Sequence, residues 1–593
     1  VEDREEERRR EEAREERYGG SGGRREGDER DVSESPGRRV REVQPSLVEE
    51  APGEETSRPL HVVAEVAAGH DDDRGSLDDD RTREDEKDGP SGCDRAESAH
   101  VAGFYGRPDG GRSGVKAPLQ LEEKLLRAAL ALGVALRLAH FLRNPSIWHD
   151  EAALVLSAQN LPFAEHLGPL VHSAPAPPLY VALVRAVSLF LGNGLPALRL
   201  PSLLASLAAL LLFALVARRF LPPASAALAI LLFAVSDRLL WHAVEAKPYS
   251  GDVLVAVLGL RLLVAFEERG GPGSFLLGAA LFPVLAWLSY PAGFVLGGLL
   301  LALLPAVLRS KRALLPAWLL AAALPFASFL ALVLGPVRAQ RDARLESFWS
   351  DALPDRSRPL SVPAWAIARS AQVLDQPLKP ANGLLVPLTL LGVAAFARKG
   401  ERARLVAMAG PGVLAFGAAL AGAYPWSRSR VTIFLAPAVC LLTARGAEAT
   451  FARLETLRGR GGARRAGAGV LAALLVVALS LPALRAAVKV VVPWPRADQN
   501  GAVEWIAARR VEGEPVRGNH WEHEVLFRSL GPLYDDISRP PRPDGRLFVV
   551  VTSAREEERA AALAAVVARG FRVAERADLS RNTVALLVPR EAE

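Results

Sequence analysis

Between residues 125 and 489 the chain alternates long apolar runs with short polar turns. The runs lie near 125–142, 199–217, 224–241, 250–266, 274–289, 291–308, 313–334, 383–397, 404–422, 430–445 and 467–489. Judged against the roughly 20 residues that a helix needs to cross a bilayer, they predict about eleven spans. A further apolar stretch, 177–191, is short for a span and carries Arg185 in its middle. It is expected to lie along the membrane surface.

The two ends read differently. Residues 1–115 hold charge runs such as Glu5-Glu6-Glu7-Arg8-Arg9-Arg10 and few aliphatic clusters, too little apolar area to offset chain entropy, so a disordered tail is expected. It lacks a signal-peptide pattern. Val1 stands first and Met408 is the single methionine, so a natural start nearer Val115 is an expectation that N-terminal sequencing would settle. After Pro493-Trp494-Pro495 the periodicity becomes that of a small α/β domain, with helices over 501–510 and 554–569 and strands over 546–552 and 583–588. The expected fold class is therefore mainly α: a polytopic membrane domain over 116–490, preceded by the tail and followed by an external α/β domain over 491–593.

Charge supplies the orientation. If 177–191 does not cross, then Arg218-Arg219, Glu267-Glu268-Arg269, Arg309 with Lys311-Arg312, Arg398-Lys399 with Arg402 and Arg404, and the arginines between 453 and 465 all share one side. The positive-inside rule makes that side the cytoplasm. The other side receives 143–176, 245–252, 335–382 and everything after about 490. The expectation is a multi-pass protein of a bacterial plasma membrane, with a cytoplasmic N-terminus and a periplasmic C-terminal domain. The net charge of +5 then needs no nucleic acid to explain it. Cys93 and Cys440 are the only cysteines, so neither a disulfide framework nor a cysteine metal site is implied.

Three polar constellations fall on the external side. In Ser146-Ile147-Trp148-His149-Asp150-Glu151 two carboxylates follow the first span directly; solvated loop carboxylates are common, but position beside low dielectric suits a general base or metal ligand. His172 follows in the same loop, and Arg199 opens the second span, where snorkelling and a functional role are equally open. The second is Glu245-Ala246-Lys247-Pro248-Tyr249-Ser250-Gly251-Asp252. A lysine beside a tyrosine and flanked by carboxylates suits a phosphate, and Pro248, Ser250 and Asp252 also suit a helix start. The third is Tyr424-Pro425-Trp426-Ser427-Arg428-Ser429-Arg430, whose external arginines run against the charge bias and suit a lipid-linked phosphate or headgroups. His520-Trp521-Glu522-His523-Glu524 lacks the spacing of the HExxH zinc motif and reads as polar surface.

The succession of a first span, WHDEA, HSAPAPPLYVAL and LRLPSLLA resembles the GT-C membrane glycosyltransferases. It is most similar to the family-39-like group of protein O-mannosyltransferases and aminoarabinose transferases. The resemblance covers roughly residues 120 to 450 and departs from stricter members in the interrupted PAPP beside His172. It implies transfer of a sugar from a polyprenyl-phosphate donor to a hydroxyl of a lipid, glycan or protein acceptor at the external face, with inversion. It implies Asp150 as base, with Glu151 positioning it or a metal. His172, Glu245, Lys247 and Tyr249 would meet donor or substrate, and Arg428 and Arg430 the donor's phosphate. A divalent cation, Mg or Mn on Asp150 and Glu151, stays open. The rival reading is a transporter or flippase of lipid-linked saccharides, for which broken spans with midplane polar residues would be expected.

Overall fold

The computed structural model describes residues 121–398, 400–427, 429–459, 462–511, 514–519, 534–536 and 545–590. The predicted tail, Lys399, Arg428 and the segment His520 to Glu524 lie outside the described residues.

The apolar runs form a helical bundle, in chain order α1 (Leu121–Leu142), α2 (His149–Asn160), α3 (Pro178–Leu191), α4 (Leu195–Phe220), α5 (Pro223–Val235), α6 (Asp237–His242), α7 (Tyr249–Arg269), α8 (Gly273–Leu288), α9 (Ala292–Arg309), α10 (Leu315–Leu332), α11 (Ala343–Phe348), α12 (Val362–Asp375), α13 (Val386–Phe396), α14 (Arg402–Leu420), α15 (Ala436–Arg458) and α16 (Gly462–Val491). Eight of the described helical stretches are long and apolar enough to cross a membrane. Three shorter apolar helices, α5, α8 and α13, occupy other runs expected to span. The predicted run 224–241 is in fact two helices. Ser236 leaves helical geometry (ψ 116°) and donates its hydroxyl to the Pro377 carbonyl at 2.8 Å. The 14 residues of α3 reach about 21 Å at 1.5 Å per residue, which places it with α5, α8 and α13 among the apolar helices shorter than a full crossing.

The predicted charge clusters meet at one end of the bundle. Arg218 pairs with Glu123 at 3.3 Å, Arg219 with Glu268 at 2.9 Å and Arg404 with Glu267 at 2.8 Å, while Lys311 donates to the Gly270 carbonyl at 3.0 Å. Gly270 itself stands at φ 64°, the left-handed position that ends α7 and that glycine takes without strain. The loops with the candidate chemistry gather at the opposite end.

Beyond α16 the chain forms a five-stranded sheet with helices on its two faces. Its strands are β1 (Val516–Gly518), β2 (Tyr534–Asp536), β3 (Leu547–Thr552), β4 (Phe571–Leu579) and β5 (Asn582–Pro589), in the order β2-β1-β3-β5-β4. β1 runs parallel to β2 and β3; β5 is antiparallel to β3 and β4. Side chains alternate across a strand, so β3 sends Phe548 and Val550 toward α17 (Gln499–Ala507), and Leu547, Val549 and Val551 toward α18 (Glu556–Val567). That two-sided burial explains its unbroken apolar sequence.

Candidate active site

Asp150 lies in the first turn of α2, which starts just after the extended residue Trp148. Its carboxylate is 3.0 Å from Lys247 Nζ and 3.3 Å from Arg430 Nε. The three groups come from three stretches that the sequence separates by about a hundred residues or more. Burial alone would raise the pKa of Asp150. Arg430 and Lys247 outweigh it and hold the carboxyl well below the usual carboxylate range. Burial lowers the pKa of Lys247, against the raising effect of Asp150.

Each cation is fixed by its own surroundings. Lys247 is 2% exposed, and its carbonyl accepts from Ser202, whose hydroxyl lies 2.8 Å from that of Tyr180. Arg430 opens the 3-10 turn Arg430–Leu435 that leads into α15. Its guanidinium lies about equally far from three aromatic rings, 5.7 Å from Trp148 and 6.0 Å from both Phe348 and Trp349, and meets the Tyr249 hydroxyl. A delocalised cation within an aromatic frame keeps its orientation while leaving a polar edge for an anion.

Glu151 faces the other way. Arg199 grips it through both oxygens, Nε to Oε1 at 2.7 Å and Nη2 to Oε2 at 2.8 Å, and the Ala246 N–H donates to Oε1 at 2.9 Å. Burial would raise its pKa, but Arg199 more than compensates and the pKa is lowered. Arg199 also donates to the Asn144 side chain and the Pro145 carbonyl. The arginine that sequence left between snorkelling and function is thus a buried clamp on the loop that carries Asp150. Glu245, fully buried, points below Lys247 toward His242 Nδ1 at 3.0 Å and Arg496 Nη2 at 3.1 Å.

Of the residues singled out from sequence, Asp150, Lys247, Tyr249 and Arg430 therefore converge. Glu151 and Glu245 form a buried layer beneath them. His172 sits in the turn Val171–Ser173 at φ 57°. The adjacent carboxylates do not present a shared metal position, because Glu151 is committed to Arg199 and Asp150 to two cations. Among the described residues no group of three or more His, Cys, Asp or Glu is arranged to hold a metal ion.

Sequence reasoning passed over Arg137, Ser202, the Phe348–Trp349 edge and Arg496. Arg137, fully buried inside α1, donates to Ser206 at 2.8 Å and to two carbonyls, fastening α1 to α4 and α5. Arg496 carried a readable signal: it follows a Pro-Trp-Pro in a stretch expected to be external, against the same charge bias that singled out Arg430.

Among solved structures, the chain is similar to ArnT from Cupriavidus metallidurans bound to undecaprenyl phosphate, at 13% identity over 78% of this chain and 97% of that one, with a TM-score of 0.45. The Archaeoglobus fulgidus oligosaccharyltransferase in its apo form is similar at 12% identity over 71% of this chain and 65% of that one, with a TM-score of 0.43. No family model matches the chain, and no curated protein does. At these scores the structural likenesses carry no weight for the chemistry, which rests on this chain's own residues.

Proposed function

We propose that the chain is a membrane glycosyltransferase of the GT-C type that takes a sugar from a polyprenyl-phosphate carrier and passes it to an acceptor hydroxyl at the external face. The observation that carries the reading is the carboxylate of Asp150 held between Lys247 and Arg430 at the polar end of the bundle. The motif resemblance supplies the donor class.

The formal charges suit this reaction. Two cations and one carboxylate leave a net charge of +1, which one phosphodiester neutralises. The cations then turn partly to the phosphate, their pull on Asp150 eases, and its proton affinity rises from its depressed value. The acceptor oxygen attacks the anomeric carbon as Asp150 takes its proton. The bond from that carbon to the phosphate oxygen breaks, and its electron pair leaves with the carrier phosphate. Asp150 is then neutral and the phosphate doubly negative, so the site is neutral before and after transfer. Lys247 and Arg430 meet the charge where it grows, in a site already organised for it.

The test is sugar transfer from a radiolabelled polyprenyl-phosphate hexose in membranes holding the protein, beside Asp150→Asn at equal abundance. Transfer by the parent and its loss by at least about a hundredfold in the variant is expected, the scale of a lost general base. Equal transfer by both removes Asp150 as the base. Absence of transfer across several donor sugars overturns the enzyme reading and favours lipid transport.

A further inference from the structure

Arg496 stands beyond the last span, yet it is 8% exposed and lies under the candidate site. Its Nη2 donates to Glu245 Oε1 at 3.1 Å, its Nη1 donates to the Ser146 carbonyl at 2.9 Å and lies 3.8 Å from Glu151 Oε2, and its guanidinium covers the Trp241 ring at 4.4 Å. One side chain therefore joins the 146–151 loop to the 241–247 turn, the two stretches that carry Asp150 and Lys247. Its backbone is tied in turn to the sheet unit: the Arg496 carbonyl accepts from Ser580 at 3.2 Å, and the Asp498 N–H donates to the Ser580 carbonyl at 2.8 Å. The preceding Trp494 is locked as well, donating to Asp237 at 3.0 Å and packing on Trp241 at 5.2 Å.

The electrostatic consequence concerns Lys247. Glu245 is a fully buried carboxylate two residues away, and a buried carboxylate without a counter-ion draws any ammonium within reach. Arg496 supplies that counter-ion, beside the contact of Glu245 with His242 Nδ1, and Lys247 is directed at Asp150. We infer that Arg496 is a positioning residue, delivered from outside the membrane bundle, which neutralises Glu245 and so keeps Lys247 turned to the donor's phosphate. The inference rests on the glycosyltransferase reading for its phosphate and on the ion pairs alone for the counter-ion role. It makes the C-terminal unit a part of the site's foundation.

The test uses full-length Arg496→Gln, Glu245→Gln and the double variant, in detergent and in membranes. Two readouts are followed: the melting temperature with and without undecaprenyl phosphate, and the kcat and KM for the donor. Arg496→Gln is expected to lower the melting temperature, to abolish the upward shift caused by undecaprenyl phosphate, and to raise the donor KM at least tenfold. The double variant, which removes charge and counter-ion together, is expected to regain most of the melting temperature and to bring KM within a few-fold of the parent. A double variant no better than Arg496→Gln overturns the counter-ion role, as does an Arg496→Gln that behaves like the parent. If Arg496→Gln fails to fold, the folding of the double variant decides the same point. If the parent neither transfers sugar nor responds to undecaprenyl phosphate, the glycosyltransferase reading falls, and the melting temperatures still decide whether Arg496 is the counter-ion of Glu245.

Discussion

Asp150 and Glu151 are neighbours in sequence with opposite surroundings, one facing two cations at the mouth of the site and one clamped beneath it. Their substitutions should therefore fail in different ways. Glu151→Gln leaves the Arg199 charge buried and half-partnered, and a loss of about 3–5 kcal/mol is expected, the cost of breaking a buried pair; denaturant titration in detergent measures it, and a loss below about 1 kcal/mol would deny the clamp. Lys247 offers a pH signature. Its pKa is lowered by burial, so its charge is lost on the alkaline side before the ordinary lysine value of about 10.4. Asp150, whose pKa is depressed, stays ionised down to well below the usual carboxylate range. The kcat/KM for the donor should thus hold through mildly acid pH and fall on an alkaline limb that lies below the ordinary lysine range. Lys247→Arg, whose guanidinium stays charged through the alkaline range, should move that limb upward; an unmoved limb would show that another group controls it. The residue types at this site were legible in the sequence, because carboxylates beside a span and external arginines are costly and few. Their partners were not. Nothing in local sequence says that Glu151 is spent on Arg199, 48 positions away, or that Glu245 faces Arg496, 251 positions away.

Elements were read well where periodicity alone decides them, and less well where a single contact does. The apolar runs of the bundle and the unbroken RLFVVVT of β3 appear where expected. The break at Ser236 does not show in a hydropathy pattern, since it depends on a hydrogen bond to Pro377 in a distant loop. Helix contacts set by glycine belong to the same class. A Cβ on Gly446 of α15 would enter the Leu388 carbonyl of α13, and one on Gly392 of α13 would enter the Leu442 carbonyl of α15. The two helices cross so closely that backbone meets backbone, as small residues permit in membranes. Gly446→Ala should therefore cost about 1–3 kcal/mol through overpacking. Gly417→Ala in α14 meets nothing within 4 Å and should gain up to about 1 kcal/mol from helix propensity. Melting temperatures in detergent compare the two, and equal shifts would sink the close crossing.

At the scale of the whole molecule, the bundle has two chemically distinct ends. One gathers Arg218, Arg219, Arg404 and Lys311 with their acidic partners; the other gathers Asp150, Lys247, Arg430 and the sheet unit anchored through Arg496 and Trp494. The separation of ends follows from the fold, whereas the side of the membrane that each faces is a prediction from charge. Single cysteines read it directly. Cys440 is fully buried and does not compete for reagent, and Cys93 is replaced by serine. Arg358→Cys, in an exposed loop at the site end, should react with a membrane-impermeant maleimide in intact spheroplasts. Ser310→Cys, exposed at the opposite end, should react only after permeabilisation. The reverse pattern would turn the site toward the cytoplasm. Donors would then have to be presented on the inner leaflet, and the proposed external transfer would fall even with every ion pair at the site intact.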